Sequence, residues 1–327
     1  MTQSPPPLVV WAVSDGRAGM RDQVLGLAEA VALRRPAQVV QKTVAWRWGI
    51  GRAPNWLNLA PRLTLSPASA IAPPWPDLWI AAGRATLPLS TRMRRWSEGR
   101  AFVVQTQDPR TNLAGFDLVI PPAHDGLAGA GVFPIAGAPH RVTAETMAAA
   151  RDRFAAVIEP LPRPRVAILI GGKSKAFDLS AARAAALADE IGHSLQGGSL
   201  MLTFSRRTPA PARAALTAGL SRAPGIIWDE TGENPFFAFL AFADAVLVTE
   251  DSTGMAVQAA ATGKPVMILK MDGQSAKFRR FHADLEARGV ARPFAGRIET
   301  WSYPPLDETG RAADEILRRY DARGDRA

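Results

Sequence analysis

A doubly wound α/β fold in two domains is what this sequence predicts, and three observations carry it. Apolar β-rich runs alternate with Ala-rich helical runs almost throughout, the pattern of parallel strands joined by crossover helices. The alternation is broken near the middle by "EPLPRPR" (residues 159–165), whose three prolines stop a helix and stiffen a short link. The chain has 327 residues, more than one ordinary core accommodates and enough for two. The expected division is an N-terminal Rossmann-like domain over 1–160, a second over 161–305, and a last helix within 306–327.

In the first half "LVVWAV" (8–13) reads as a strand, "SDGRAGM" as its loop and "RDQVLGLAEAVAL" as a helix with one apolar face. "AQVVQKTVAW" is the next strand. The Trp- and Pro-rich stretch 47–76 has no regular period. "DLWIAAG" (77–83) is a strand ending on glycine, and "TLPLSTRMRRW" is a helix with Pro88 in its first turn. "AFVVQTQDPR" and "FDLVIPPAHD" are two more strand-then-loop units, and residues 144–158 form a helix that closes the first domain. The second half has five apolar strands, "RVAILI", "SLMLTF", "GIIW", "AVLVT" and "PVMIL", each leading into a helix. A final helix near 309–320 has no strand after it and is free to pack back on the N-terminal domain. Two such domains facing each other leave a cleft along the carboxyl ends of both sheets, where doubly wound folds bind ligands.

Composition narrows the chemistry. With 47% hydrophobic and 21% charged residues the chain is globular. It has no Cys, hence no disulfide framework, thiolate metal site or Cys nucleophile, which suits a reducing compartment. "MTQSPPPLVVWAV" lacks the basic start of a signal peptide, and no run nears the ~18 apolar residues of a membrane helix. A cytoplasmic protein, at most peripheral to an inner membrane, is the expectation. The net charge of +9 suits anionic partners: phosphorylated small molecules or an anionic lipid surface. Nucleic acid fits less well, since the arginines are spread along the chain without the interleaved aromatics of a single-strand binder.

The loops after the strands hold the candidate site. In the second domain "IGGKSK" places Gly171, Gly172 and Lys173 after the first strand, where glycines let backbone N–H groups approach an anion. The spacing is neither that of a Walker loop nor G-x-G-x-x-G. "FSRRTP" puts Ser205, Arg206 and Arg207 after the second strand, forked donors suited to phosphate, with Thr208 and Pro209 reading as helix cap and first residue. "VTEDSTGMAVQAAATGKPVMIL" ends a strand in Glu250, Asp251, Ser252 and Thr253. One of these caps the following helix; the others exceed that need, and carboxylates beside hydroxyls suit a sugar or ribose. In the first domain Asp15, at the first strand's end, stands where a general base would. Arg17, Arg84, Asp108, Arg110, His124 and Asp125 are candidates on the acceptor side. The sequence has no G-x-S-x-G elbow, and four scattered His without Cys disfavour a zinc enzyme.

Taken in order, "WAVSDGRAGMRDQVLGLAEAV", "QTQDPR", "FDLVIPPAHD", "ILIGGKSKAF", "FSRRTP" and "VTEDSTGMAVQAAATGKPV" resemble the family of the plant mitochondrial-fission factor named for elongated mitochondria, in its bacterial branch. The resemblance is strong from about residue 9 to residue 270. It implies a GT-B-like fold and a glycosyltransferase that takes a nucleotide-diphosphate sugar without a metal or other cofactor. It further implies donor binding in the second domain. The loop from Gly171 to Lys175 would lie near the diphosphate, the segment from Ser252 to Pro265 would wrap the nucleotide, and Gln258 would stand where an acid often holds the ribose. Gln258 carries no charge, which leaves Glu250 or Asp251 to take that part. Lys173, Arg206 and Arg207 would stabilise the leaving group, and Asp15 would be the base if the reaction inverts. The acceptor would be a lipid-linked or cell-envelope glycan. Two other readings stay open: a non-catalytic, membrane-associated adaptor in a fission-like process, and a sugar-nucleotide epimerase of the same fold.

Overall fold

Residues 6–47 and 60–324 are described by the structure, a computed structural model; residues 48–59 of the irregular stretch lie outside them. By contacts the chain divides into two units, Met1–Arg141 with Asp307–Ala327, and Val142–Leu306.

The first unit is a five-stranded parallel sheet of β1 (Leu8–Ser14), β2 (Ala37–Thr43), β3 (Leu78–Ala82), β4 (Phe102–Thr106) and β5 (Leu118–Ile120) in the order β2-β1-β3-β4-β5. Its helices are α1 (Ala18–Ala32), the single turn α2 (Pro61–Thr64) and α3 (Leu87–Trp96). β3 and β4 are buried at every residue, because a parallel sheet is covered on both faces and its inner strands read as unbroken apolar runs. β2 alternates between half-buried and exposed, as an edge strand does.

The second unit opens with α4 (Ala144–Ile158). Then follow β6 (Arg165–Ile170), β7 (Phe177–Asp178), α5 (Ala181–Ser194), β8 (Ser199–Phe204), α6 (Ala210–Leu220), β9 (Gly225–Ile227) and α7 (Phe236–Phe242). β10 (Ala245–Thr249), α8 (Thr253–Ala260), β11 (Val266–Leu269), β12 (Asp272–Gly273), α9 (Ala276–Ala287) and β13 (Ala291–Pro293) complete it. Six strands form a parallel sheet in the order β13-β11-β10-β6-β8-β9, and β7 with β12 makes a small antiparallel pair. The two-residue strands β7 and β12 lie in stretches the sequence reads as loops, too short to carry a period. The sequence reading missed β13, whose three residues, "ARP", carry too little apolar signal to register as a strand. It also ended the first domain after the helix 144–158. That helix joins the second unit: Ala150 and Ile158 share a core with Phe239, Phe242 and Val246. The prolines of 159–165 therefore turn the chain from α4 into β6 and do not separate domains. The Arg165 side chain donates to the Leu161 carbonyl oxygen at 3.0 Å and holds that turn.

The last helix, α10 (Glu308–Gly324), belongs to the first unit. Its Ala312, Ala313 and Ile316 are buried with Val24, Leu27 and Val31 of α1. Buried Glu308 accepts from the Ala136 N–H at 2.7 Å, and the Thr309 hydroxyl accepts from the His140 N–H at 3.1 Å. Gly26 in the middle of α1 is explained here: a Cβ would stand 2.3 Å from the His140 carbonyl oxygen, so only glycine lets that segment pass. Among the described helices none is long and apolar enough to cross a membrane.

His140 makes a pH prediction. Burial pushes its imidazole down to about 4 from an ordinary 6.5. The unfolded chain therefore binds a proton that the native state refuses. Its contribution to stability is complete above pH 6.5 and drains away as pH falls toward 4. Between pH 7 and pH 4.5 this one residue is expected to cost about 2 kcal/mol. Urea unfolding at both pH values, of the protein and of His140→Asn, checks this: the variant should show a correspondingly weaker acid dependence.

Candidate functional site

Chain order places the candidate site. In the second unit β6 leads to β8 and β9 on one side, and the chain then crosses to β10, β11 and β13 on the other. The order reverses between β6 and β10, and a crevice opens outside the carboxyl ends of the strands at such a point. Gly171, Gly172 and Lys173 follow β6. Glu250, Asp251 and Ser252 follow β10. Ser205, Arg206 and Arg207 follow the neighbouring strand β8.

These three loops are bonded into one body around Asp251. Its side chain is 0% exposed and pairs with Arg207 Nη2 at 3.0 Å. One carboxylate oxygen accepts from Thr249 Oγ1 at 2.8 Å and the other from the Gly172 N–H at 3.0 Å. The Gly171 N–H donates to Thr249 Oγ1 at 2.7 Å, and the Lys173 N–H to the Arg207 carbonyl oxygen at 3.0 Å. This corrects the reading of the glycines as an open anion cradle. Their N–H groups are occupied from within, and Asp251 sits where an incoming anion would have met them. The glycines are required for closeness: a Cβ on Gly171 would fall 1.9 Å from Asp251 Oδ1, and one on Gly172 2.2 Å from the Arg207 carbonyl.

The remaining residues divide between structure and surface. Glu250 is buried and accepts from the Met271 N–H at 2.7 Å and Lys270 Nζ at 3.2 Å. It ties the end of β10 to the end of β11, so its carboxylate is not left for a ribose. Ser252, not Asp251, caps α8, accepting from the Met255 N–H at 3.4 Å. Thr208 does not cap α6; its hydroxyl donates to the Gly171 carbonyl oxygen at 2.5 Å, and Pro209 takes the cap position. Exposed Lys173 pairs with Asp178 at 3.0 Å, and the Ser205 hydroxyl accepts from the Arg207 N–H at 3.2 Å. Arg206 is exposed and makes no hydrogen bond or ion pair among the described residues. The N–H groups of Thr253 and Gly254, first in α8, have no acceptor among the described residues, and the space beside Gly254 is open. Gln258 is half-buried on α8.

Sequence reasoning missed His282. This buried α9 residue is 2.9 Å by Nε2 from the Glu250 carbonyl oxygen, which makes Nε2 the donor, and burial lowers its pKa. It anchors α9 to the turn after β10. Nothing in the sequence around it signals that contact.

The first unit reverses its strand order between β1 and β3. Asp15 follows β1, and a Cβ on Gly83, after β3, would lie 3.6 Å from its Oδ2. Arg17 holds the Asp15 carboxylate, with its N–H 3.1 Å from Oδ1 and Nε and Nη2 at 2.8 and 2.6 Å from Oδ2. Arg84 is exposed after β3. Asp108 accepts from the Arg110 N–H at 2.8 Å in the loop after β4. His124 and Asp125 come within 4.0 Å of each other after β5. At the end of β4 lies a polar cluster: Gln107 Nε2 donates to Gln23 Oε1 at 3.0 Å, and Thr106 Oγ1 to the same oxygen at 3.3 Å. Gln107 holds a φ of +70°, a left-handed conformation unusual for glutamine.

Two parallel-sheet units of this kind, each with its polar loops at a strand-order reversal, define a GT-B-like fold class. The chain belongs to the mitochondrial fission ELM1 family, whose model matches residues 18–320. It is 33% identical over 283 residues to the mitochondrial fission protein ELM1 of Arabidopsis thaliana, covering 76% of this chain and 65% of that protein; the chain thus spans just under two thirds of that relative's length. An uncharacterised protein of Rickettsia prowazekii is 27% identical over 359 residues, 94% of this chain and 97% of that one. Among solved structures, the UDP-GlcNAc 2-epimerase of Methanocaldococcus jannaschii superposes with a TM-score of 0.58 at 10% identity, covering 96% of this chain and 100% of that one. The same enzyme in complex with UDP-GlcNAc and UDP gives 0.56 at 9% identity, covering 96% and 99%. The glycotransferase of kitacinnamycin gives 0.51 at 12%, covering 98% and 96%. At these identities the likeness shows the fold alone.

Proposed function

We propose that this protein is a metal-independent glycosyltransferase that binds a nucleotide-diphosphate sugar at the β6/β10 reversal of its second unit. The observation that carries the reading is the arrangement around Asp251. Three loops are locked together by buried bonds, while Arg206 and the first N–H groups of α8 stay unbonded at their rim. Protein that is rigid underneath and unsatisfied on top is what an anionic ligand requires. The diphosphate would lie on the start of α8 and on Arg206, outside the Asp251-filled cradle. Gln258 and Thr253 would meet ribose or sugar hydroxyls. Two fold neighbours, the UDP-GlcNAc 2-epimerases of Neisseria meningitidis and Methanocaldococcus jannaschii, bind UDP-GlcNAc, which supports the ligand class for this chain without selecting transfer over epimerisation. Asp15 would take the acceptor's proton, and the acceptor would be a lipid-linked or cell-envelope glycan.

The closed cradle also favours a second reading, a non-catalytic adaptor, because its backbone donors are spent on Asp251. Thermal-shift screening against UDP, GDP and their sugars separates the two. Ligand at ten times its Kd adds about 1.4 kcal/mol and raises the melting temperature of a binding protein; a flat response to every nucleotide supports the adaptor. Arg206→Ala is expected to weaken donor binding about 10- to 100-fold with the fold intact, the scale of one charge-assisted bond. Unchanged affinity in the variant would refute this assignment of the site. Incubating donor without acceptor then distinguishes an epimerase, which yields an altered sugar nucleotide.

A further inference from the structure

Most of the net charge of +9 falls in one stretch of the sequence. Residues 37–101 contain nine Lys or Arg and two Asp or Glu, a net +7, and six of the nine Trp. In the first unit described members of this segment pack outward from Trp11, a buried residue of β1. Lys42 Nζ sits 4.5 Å from the Trp11 ring centre and donates to the Ala70 carbonyl oxygen at 2.9 Å. Trp11 meets Trp75 edge-on at 6.2 Å, and Trp75 stacks on Trp96 at 6.3 Å. Arg62 covers both, its guanidinium 5.6 Å from the Trp75 ring and 4.5 Å from that of Trp96. Next to Arg62, Leu63 is 73% exposed. The adjoining loop 66–76, "SPASAIAPPWP", carries no charge, and its Ala68, Ala70, Ala72, Pro73 and Pro74 are exposed. Arg95, beside Trp96 at the end of α3, is exposed and has no ion pair among the described residues.

From this we infer that the α2–α3 face of the first unit docks on an anionic lipid surface. Half-buried Trp rings, an exposed Leu and an uncharged Ala/Pro loop suit the headgroup boundary, where amphipathic aromatic rings collect. The surrounding cations supply the attraction to acidic headgroups. A nucleic acid would use the cations, but it gives no role to the exposed leucine and the uncharged loop. This inference is independent of the nucleotide-sugar reading.

The experiment is co-sedimentation of the whole protein with phosphatidylcholine vesicles, with and without 30 mol% phosphatidylglycerol, at low and high salt. Binding is expected only with phosphatidylglycerol and should fall as salt rises. Arg62→Glu with Arg95→Glu should weaken it at least tenfold, and Leu63→Asp should weaken it severalfold. The equally charged Arg222→Glu with Arg279→Glu, in the second unit, should leave it within twofold. Circular dichroism and melting temperature verify that each variant is folded. Equal loss in both double variants, undiminished binding by the first, or equal binding to neutral vesicles would overturn the inference. So would tighter binding to a single-stranded oligonucleotide than to the anionic vesicles.

Discussion

Asp251→Ala is expected to destabilise the second unit by about 2–5 kcal/mol, the cost of stranding a buried amide and a buried hydroxyl and of the cavity left behind; Arg207, half exposed, loses little by returning to water. The carboxylate has no contact with water and accepts from three donors on three segments: Arg207, Thr249 and the Gly172 N–H. Alanine leaves the amide and hydroxyl buried without their acceptor and opens a cavity against Gly171, which packs on the carboxylate itself. For a unit of this size the melting temperature should drop by on the order of 10 °C. Asp251→Asn keeps the volume but turns an NH2 toward one of those donors, so a smaller loss is expected. Calorimetric scans of both variants test the point. An Asp251→Ala protein that melts like the parent would show that the three loops are held by something else, and the rigid floor assigned to the ligand site would be gone.

The same residue shows where sequence reading succeeds and where it stops. The strands were legible because inner parallel strands are apolar along nearly their whole length, as "RVAILI" and "AVLVT" are but for Arg165 and Thr249 at their ends. The cluster of Glu250, Asp251, Ser252 and Thr253 was legible as a surplus of polar groups over one cap. Their duties were not, because each is set by a partner remote in the chain: Asp251 by Gly172 and Arg207, Glu250 by Met271. The unit boundary was misplaced because prolines mark a break in local structure, whereas the allegiance of α4 depends on which core receives Ala150 and Ile158. The concentration of charge was legible in principle. Arginines alone look evenly spread; only the scarcity of acids in residues 37–101 reveals the basic face.

Asp15→Asn is expected to lower turnover about 10²- to 10⁴-fold, the range for a general base, with donor affinity unchanged. The carboxylate lies at the first sheet's strand-order reversal, 14% exposed, with Arg17 engaging both oxygens. Arg17 places two donors on Oδ2 and one on Oδ1, so Oδ1 keeps a lone pair for an acceptor hydroxyl but the guanidinium crowds the carboxylate. Arg17 is 65% exposed, however, and a pair so open to water is worth little, about 0–1 kcal/mol. An arriving acceptor can displace the guanidinium at small cost, or use it to hold its own anionic group. Two measurements distinguish a base from a binding residue: nucleoside diphosphate released from the donor per unit time, and donor Kd by calorimetry. A base substitution changes the first alone. Arg17→Ala should leave turnover within about tenfold and act mainly on the acceptor KM, because it frees the carboxylate that Asp15→Asn removes. If Asp15→Asn turns over at the parental rate, the proton leaves by another route. The polar cluster of Gln23, Thr106 and Gln107 contains no group basic enough to replace it, so the base would then have to be sought outside the β1/β3 reversal.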